Sequence, residues 1–430
     1  MPALNQRGGH PPTPNFLPLH SERSSVTTAA DRFAIKGFGP ENLPYASFSP
    51  VDGKPRLGAR LGNQAIDLSA LADATGGLDR SVRAAISTSN LDALLAAGCE
   101  AWTALRAWLV DAVTTAGGDG IVADSSYPVD DILLHMPFTV ADYVDYYASE
   151  HHASNVGKIF RPDEAPLLPN WKHLPVGYHG RSGSVIPSGQ DFPRPKGLRP
   201  EQNGSPSFGP SRRLDIEAEM GFILGGSAPA GEVSVAAAAQ HLFGVVLFND
   251  WSARDIQAYE YVPLGPYLGK SFASTISLWV VPFEALSAAR ITPPARGPAL
   301  APYLNDEGEE PWGLDITMEV IVDGHTVSRP PVSALYWTAP QMIAHMTVNG
   351  APLRPGDFFG SGTVSGPEKG QRGSFLELSW AGKEPFAVTP DTEMSFLTDG
   401  QTVTIRGTAP GPGGSTIDFG ECTATVLPAT

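Results

Sequence analysis

The sequence predicts an α+β chain in which strands predominate, and three observations carry that prediction. The 41 prolines and 46 glycines are spread along the chain rather than clustered, which suits a loop-rich sheet protein better than a helical bundle. Helical periodicity comes only in short stretches, with no internal repeat or coiled-coil heptad. Acidic side chains stand at every second position in Leu214-Asp215-Ile216-Glu217-Ala218-Glu219-Met220, with apolar residues between them. That is the period of a strand with one charged face.

Taken in order, residues 1 to about 30 are polar and proline-rich without a hydrophobic period, and are expected to form a mobile arm. Structure is expected to begin near Phe33. Short strands are predicted from Asn42 to Phe48 and within Arg56 to Leu68, with Gly62-Asn63 as a hairpin turn. Two helices follow, from Asp79 to Ala97 and from Glu100 to Thr115, the second placing Trp102, Leu105, Trp108 and Leu109 on one face. Gly117-Gly118 closes that region. From Tyr127 the texture turns to strand-like runs between Pro and Gly, interrupted by helix candidates at Ser234 to Phe243 and Ala334 to His345. The expected division is an arm over 1–30, a small domain over 31–130 and a larger one over 131–430.

Composition narrows the function. At 430 residues and 42% hydrophobic, the chain can bury a sizeable core. Against 29 basic side chains stand 45 acidic ones, and the net charge of -16 argues against nucleic acid and anionic membranes as partners. No run approaches the roughly 18 apolar residues of a membrane span, and Met1 to Ala30 lacks a signal peptide's apolar core. Cys99 and Cys422, far apart, read as free buried thiols in a reducing compartment, where the Asn203-Gly204-Ser205 sequon carries no meaning.

Side chains two apart on a strand lie about 7 Å from each other, so Asp215, Glu217 and Glu219 disfavour one another's ionisation. Water relieves this on a solvated face; a hard cation relieves it on a buried one. Asp250, at the end of the apolar run Leu242 to Phe248, could add an oxygen to the same cation. The densest chemistry lies in Asp142 to Gly157, with carboxylates, phenols and the pair His151-His152, between which nothing local decides. Gly265-Pro266-Tyr267-Leu268-Gly269-Lys270-Ser271 has its glycines one residue too close for a phosphate-binding loop. Neither a Gly-x-Ser-x-Gly elbow nor a His-Glu-x-x-His motif is present. The remaining donors are oxygen-rich and suit calcium or magnesium.

Several long motifs resemble one family. They are Asp145-Tyr146-Tyr147 with His152-Ala153-Ser154-Asn155-Val156-Gly157, Leu167-Leu168-Pro169-Asn170-Trp171 through His179-Gly180-Arg181, and Leu214 to Met220. Asn249-Asp250-Trp251-Ser252-Ala253-Arg254-Asp255-Ile256-Gln257, Tyr261 to Phe272 and Leu376-Glu377-Leu378-Ser379-Trp380 follow in the same order. Together with Glu41-Asn42-Leu43-Pro44-Tyr45 they resemble the fumarylacetoacetase family from about Phe38 to the C-terminus. The resemblance implies a small N-terminal β-barrel-like domain and a C-terminal mixed β-sandwich roll. It also implies a cytoplasmic homodimer that hydrolyses 4-fumarylacetoacetate to fumarate and acetoacetate, the last step of tyrosine and phenylalanine breakdown.

By the same resemblance Asp145, Glu217, Glu219 and Asp250 hold calcium, and Asp215 is left over. His152 is the implied general base, Glu377 the carboxylate that orients it, and Arg254, Gln257 and Lys270 the oxyanion donors. An imidazole's unperturbed pKa of about 6.5 suits proton transfer at neutral pH. Tyr147, Arg161, Tyr178, Gln257, Tyr261 and Thr363 match the family's substrate-holding residues. Arg161 would supply the local positive charge a dicarboxylate needs. A magnesium beside Asp250, Lys270 and Ser274 is also implied, although Ser274 stands where members often have Thr. Glu150-His151 also departs from the family pattern. Shorter relatives use the same metal acids for acylpyruvate hydrolysis, decarboxylation or isomerisation, and a non-enzymatic calcium-binding scaffold is the plain alternative; His152 with Glu377 favours hydrolysis.

Overall fold

A computed structural model describes residues 27–430 apart from 202, 203, 229, 230, 307 and 309. Residues 1–26 of the expected arm, and Asn203 of the sequon, lie outside the described residues. The last part of that stretch is folded: Thr28 and Asp31 form a reciprocal capping box that starts the helix Ala29–Arg32, ahead of Phe33.

The N-terminal unit is an antiparallel sheet in the order Ser126–Pro128, Gln64–Asp67, Arg56–Leu61, Tyr45–Pro50 and Ile132–His135. Its two edge strands are not paired with each other, so the strand order is open. Gly62-Asn63 does turn the hairpin between Leu61 and Gln64. Gly62 has φ of 59°, and a Cβ there would sit 1.6 Å from the Phe33 carbonyl oxygen, so only glycine fits. Asp67 ends one strand and caps the helix Leu68–Thr75 by accepting from the Ser69 and Ala70 amides. The helix predicted from Asp79 to Ala97 is two, Arg80–Ile86 and Asp92–Ala97. Between them Thr88 donates to the Ala85 and Asn90 carbonyls and Asn90 accepts from the Asp92 amide, so side chains replace the helix ladder. The helix Cys99–Thr114 buries Trp102, Leu105 and Leu109 as expected, with Trp108 half-buried.

The larger part is built on a mixed sheet. Its central strands, Ala218–Leu224 and Leu242–Asn249, are antiparallel, and every residue in both is buried. Asp357–Gly360 flanks the first and pairs in parallel with Asp142–Tyr146, which in turn pairs with Gly177–His179. Ser274–Ile276 flanks the second and runs parallel to Val185–Pro187. A second sheet, in the order His325–Ser328, Thr317–Val322, Thr402–Pro410, Thr416–Leu427 and Phe192–Pro193, shares one apolar core with the first. The two approach closely where Gly407 leaves room for Leu247, whose side chain would lie 2.7 Å from a Cβ.

Two predictions fail here. The acidic stretch is not one strand: Leu214–Asp215 pairs with Ser252–Ala253, and a new strand begins only at Ala218. Glu217 lies at the break, its carbonyl accepting from the Asp250 amide and its amide donating to Asn249 Oδ1. Ser234 to Phe243 holds a single 3-10 turn, Ala238–Gln240, because Leu242 and Phe243 are taken into the central sheet. The later candidate is the helix Ala339–Thr347, begun by a capping box between Thr338 and Gln341.

Candidate active site

The central sheet brings its acids to one place. Asp145 lies near the end of its strand, Glu219 near the start of Ala218–Leu224, which is separated from that strand by Asp357–Gly360, and Asp250 one residue past Asn249. Each offers a carboxylate oxygen within 4.8 Å of the others, and all three are buried. Burial pushes the Asp145 and Glu219 carboxyls well above the usual range; neighbouring acids add to this and Lys270 opposes it. Glu219 Oε2 accepts from the Gly362 amide at 2.9 Å, while its buried Oε1 has no hydrogen-bond partner. An orphaned buried oxygen beside two more carboxylates fits a divalent cation that prefers oxygen ligands.

Glu217 is the exception among the four expected ligands. Its oxygens meet Arg254 Nη1 at 2.7 Å and Lys270 Nζ at 2.6 Å. Burial raises its carboxyl, but Lys270 and Arg254 outweigh that and hold it well below the usual range. Lys270 Nζ also lies 2.5 Å from Asp250 Oδ2 and 3.0 Å from Ser252 Oγ, and Ser274 donates to Asp250 Oδ1 at 2.8 Å. Lys270 therefore meets Asp250 through its ammonium.

The expected base, His152, stands on the helix Glu150–Phe160, which Ser149 caps through the His152 amide. That cap fixes His152 rather than His151 facing inward, 3% exposed, with Nδ1 2.6 Å from Glu377 Oε2. Ser365 and Ser374 donate to the same Glu377 oxygen and Asn155 to the other, at 2.8 to 2.9 Å. Burial raises the Glu377 carboxyl, yet His152 and these donors leave it below its ordinary value.

Two family models cover nearly all of this: "Fumarylacetoacetase N-terminal" matches residues 41–137 and "Fumarylacetoacetate (FAA) hydrolase C-terminal" matches residues 142–427. This chain belongs to the fumarylacetoacetate hydrolase family. It is 42% identical over 407 residues to the fumarylacetoacetase of Rattus norvegicus, covering 91% of this chain and 96% of that one. It is 41% identical to the fumarylacetoacetase of Homo sapiens, with 91% and 96% covered, and 42% identical to that of Caenorhabditis elegans, with 91% and 97% covered. A solved fumarylacetoacetate hydrolase from Exiguobacterium antarcticum shares the fold, with a TM-score of 0.52 at 15% identity over 90% of this chain and 99% of that one.

In this family member the expected oxyanion donors lie together. Arg254 Nη1 donates to Gln257 Oε1 at 3.1 Å, and the buried Arg254 Nη2 has no hydrogen-bond partner. The Tyr147 ring stands edge-on to His152, with centroids 5.3 Å apart, and the charges of Glu377, Glu217, Arg254 and Arg161 act on its hydroxyl. Tyr178 pairs across the sheet with Asp145 and hydrogen-bonds its carboxylate. Thr363 is buried, its hydroxyl unpartnered, beside the Gly362 amide that holds Glu219. Tyr261 is not drawn in: it stands 53% exposed beyond the helix Arg254–Glu260, tied to Gln257 only through its backbone.

Sequence reasoning missed Asn155, Ser365 and Ser374 around Glu377, and Asp215 beneath Arg254. Ser374 carried a local signal, since Ser-x-x-Glu is a helix-start pattern. The others show their roles only in three dimensions.

Proposed function

We propose that this chain hydrolyses the carbon-carbon bond of 4-fumarylacetoacetate to give fumarate and acetoacetate, the last step of tyrosine and phenylalanine catabolism. The observation that carries this is the 2.6 Å pairing of His152 with Glu377 in the same core as the converging acids Asp145, Glu219 and Asp250. Relatives at about 42% identity bear the name of that activity.

With Nδ1–H donated to Glu377, the His152 Nε2 lone pair is free to take a proton from water. The hydroxide so formed adds to the fumaryl carbonyl carbon. Arg254, Gln257 and Lys270 receive the oxyanion, and a donor of this kind commonly contributes about 3 to 4 kcal/mol. Collapse breaks the bond to the acetoacetate fragment, whose carbon takes the proton back from the His152 imidazolium. Asp145, Glu219 and Asp250 would hold a divalent cation, with Glu217 joining them on release from Lys270, and the cation would supply Lewis acidity for the diketone. We assign calcium to that carboxylate set. Magnesium beside Asp250, Lys270 and Ser274 would require the Ser274 hydroxyl to turn from donor to ligand.

Tyr147, Arg161, Tyr178, Tyr261 and Thr363 are assigned to holding the substrate. The buried Thr363 hydroxyl has no hydrogen-bond partner and suits a substrate carboxylate, since such a group carries a desolvation penalty until a partner arrives. Arg161, whose Nε lies 3.8 Å from Glu164, would add positive charge for the other carboxylate. The two free cysteines, Cys422 buried and Cys99 only partly so, suit a reducing, cytoplasmic setting, and the homodimer is kept as what the family resemblance implies. No helix among the described residues is long and apolar enough to cross a membrane. We keep the division into a small and a catalytic domain, but set the boundary after Ile132–His135 rather than at 130, since that strand pairs with Tyr45–Pro50.

The test is the decay of the diketone ultraviolet absorbance with purified protein, before chelation, after it, and after calcium is restored. Decay lost and then regained supports both reaction and metal. A folded protein inert with every divalent metal would move the assignment to acylpyruvate hydrolysis, decarboxylation or isomerisation.

A further inference from the structure

We infer that Asp215, left without a task among the metal-binding acids, is a positioning residue: one buried carboxylate that holds the oxyanion donor Arg254 and the helix carrying Glu377 in a fixed relation, resting on the hydrolytic function proposed above. Its oxygens are fully committed. Oδ1 accepts from the Ile216 amide at 2.8 Å and the Phe375 amide at 2.7 Å. Oδ2 accepts from Arg254 Nε at 2.7 Å and the Leu376 amide at 3.0 Å. Phe375 and Leu376 open the short helix Phe375–Leu378, so Asp215 fixes the residues immediately before Glu377. The side chain is 0% exposed and does not belong to the converging acids.

The break in the acidic stretch explains the division of labour. Because Leu214–Asp215 pairs with Ser252–Ala253, just before Arg254, while Ala218–Leu224 joins the central sheet, Asp215 reaches Arg254 and Glu219 reaches the cation site. Among the described residues no hydrogen bond or ion pair joins Arg254 to Glu377 directly. Asp215 is the bonded link between the group that receives the oxyanion and the group that orients the base.

Asp215→Asn is the informative change, because the shape stays and one acceptor becomes a donor. Each Asp215 oxygen receives two N–H groups, so either orientation of the amide sets an NH2 against two donors. We expect kcat to fall about 100-fold, the loss typical of a displacement near 1 Å, with KM changed less than about threefold. A second readout needs no turnover: the low-field proton resonance of His152 Nδ1–H, arising from its bond to Glu377. It should shift in Asp215→Asn although that residue does not touch His152. It should shift in Arg254→Lys as well, which keeps the charge and removes the Nε donor, so the question survives if Asp215→Asn does not fold. A resonance unmoved in both variants, or an Asp215→Asn kcat within threefold of wild type, overturns the inference. Folded wild-type protein that turns over nothing removes the hydrolytic function instead, and the resonance comparison still decides the positioning role.

Discussion

Glu219→Gln separates the two burdens the carboxylate cluster carries. Glu219 is buried, Oε1 has no hydrogen-bond partner, and burial and its acidic neighbours push its carboxyl well above the usual range. A neutral amide of the same shape keeps the acceptor for the Gly362 amide and can donate toward Asp145 or Asp250. The cation-free variant is therefore expected to melt no lower than wild type. Calcium binding should suffer greatly: unit charges at 4 Å under an effective permittivity of 20 interact by about 4 kcal/mol, nearly a thousandfold in affinity. Calcium at 100 times the wild-type Kd stabilises the folded state by about 2.7 kcal/mol. With an unfolding entropy of about 2.1 cal/mol/K per residue, that raises Tm by roughly 3 °C in a chain of 430 residues. The assay is thermal unfolding with and without calcium, beside calorimetric titration. If the variant keeps the calcium-induced rise, or melts well below wild type without the ion, Glu219 is not a strained ligand and the reasoning is wrong.

Two further outcomes follow from the dyad. His152→Ala should lower kcat by about a thousandfold, within the range for a lost general base, and leave KM nearly unchanged; normal turnover would remove His152 from the role. Because Glu377 is held below its ordinary value, its contribution to stability is present above the unfolded carboxyl pKa of about 4.3 and is lost as pH falls through the folded value. Melting curves of Glu377→Gln should therefore fall less steeply with acid than those of wild type, and parallel curves would contradict this.

Much of the site was legible in the sequence because its residues sit in long unbroken motifs. The alternation Asp215, Glu217, Glu219 marked a cluster of acids but left open whether its face was solvated or buried, and Asp250 was found at the end of its apolar strand as expected. The bend at Glu217 was not legible, since its partners Asn249 and Asp250 lie more than thirty residues away. Nor could Asp215 be assigned, because its bonds reach Arg254, Phe375 and Leu376. Helix ends failed where side chains or the central sheet claimed the backbone, at Thr88 to Asn90 and at Leu242 and Phe243. Tyr261 shows the converse limit. A motif names the residue, while an exposed loop position leaves its contact to be made.

His152 and Glu377 are 225 residues apart. At 5 to 20 residues per second, a ribosome takes roughly 11 to 45 s to add the second after the first. Until then Asp215 also lacks two of its donors, the Phe375 and Leu376 amides. The final strand, Thr416–Leu427, must emerge later still to meet Phe192–Pro193. A nascent chain thus carries an unfinished, charged interior until Glu377 and the Phe375 and Leu376 amides have emerged.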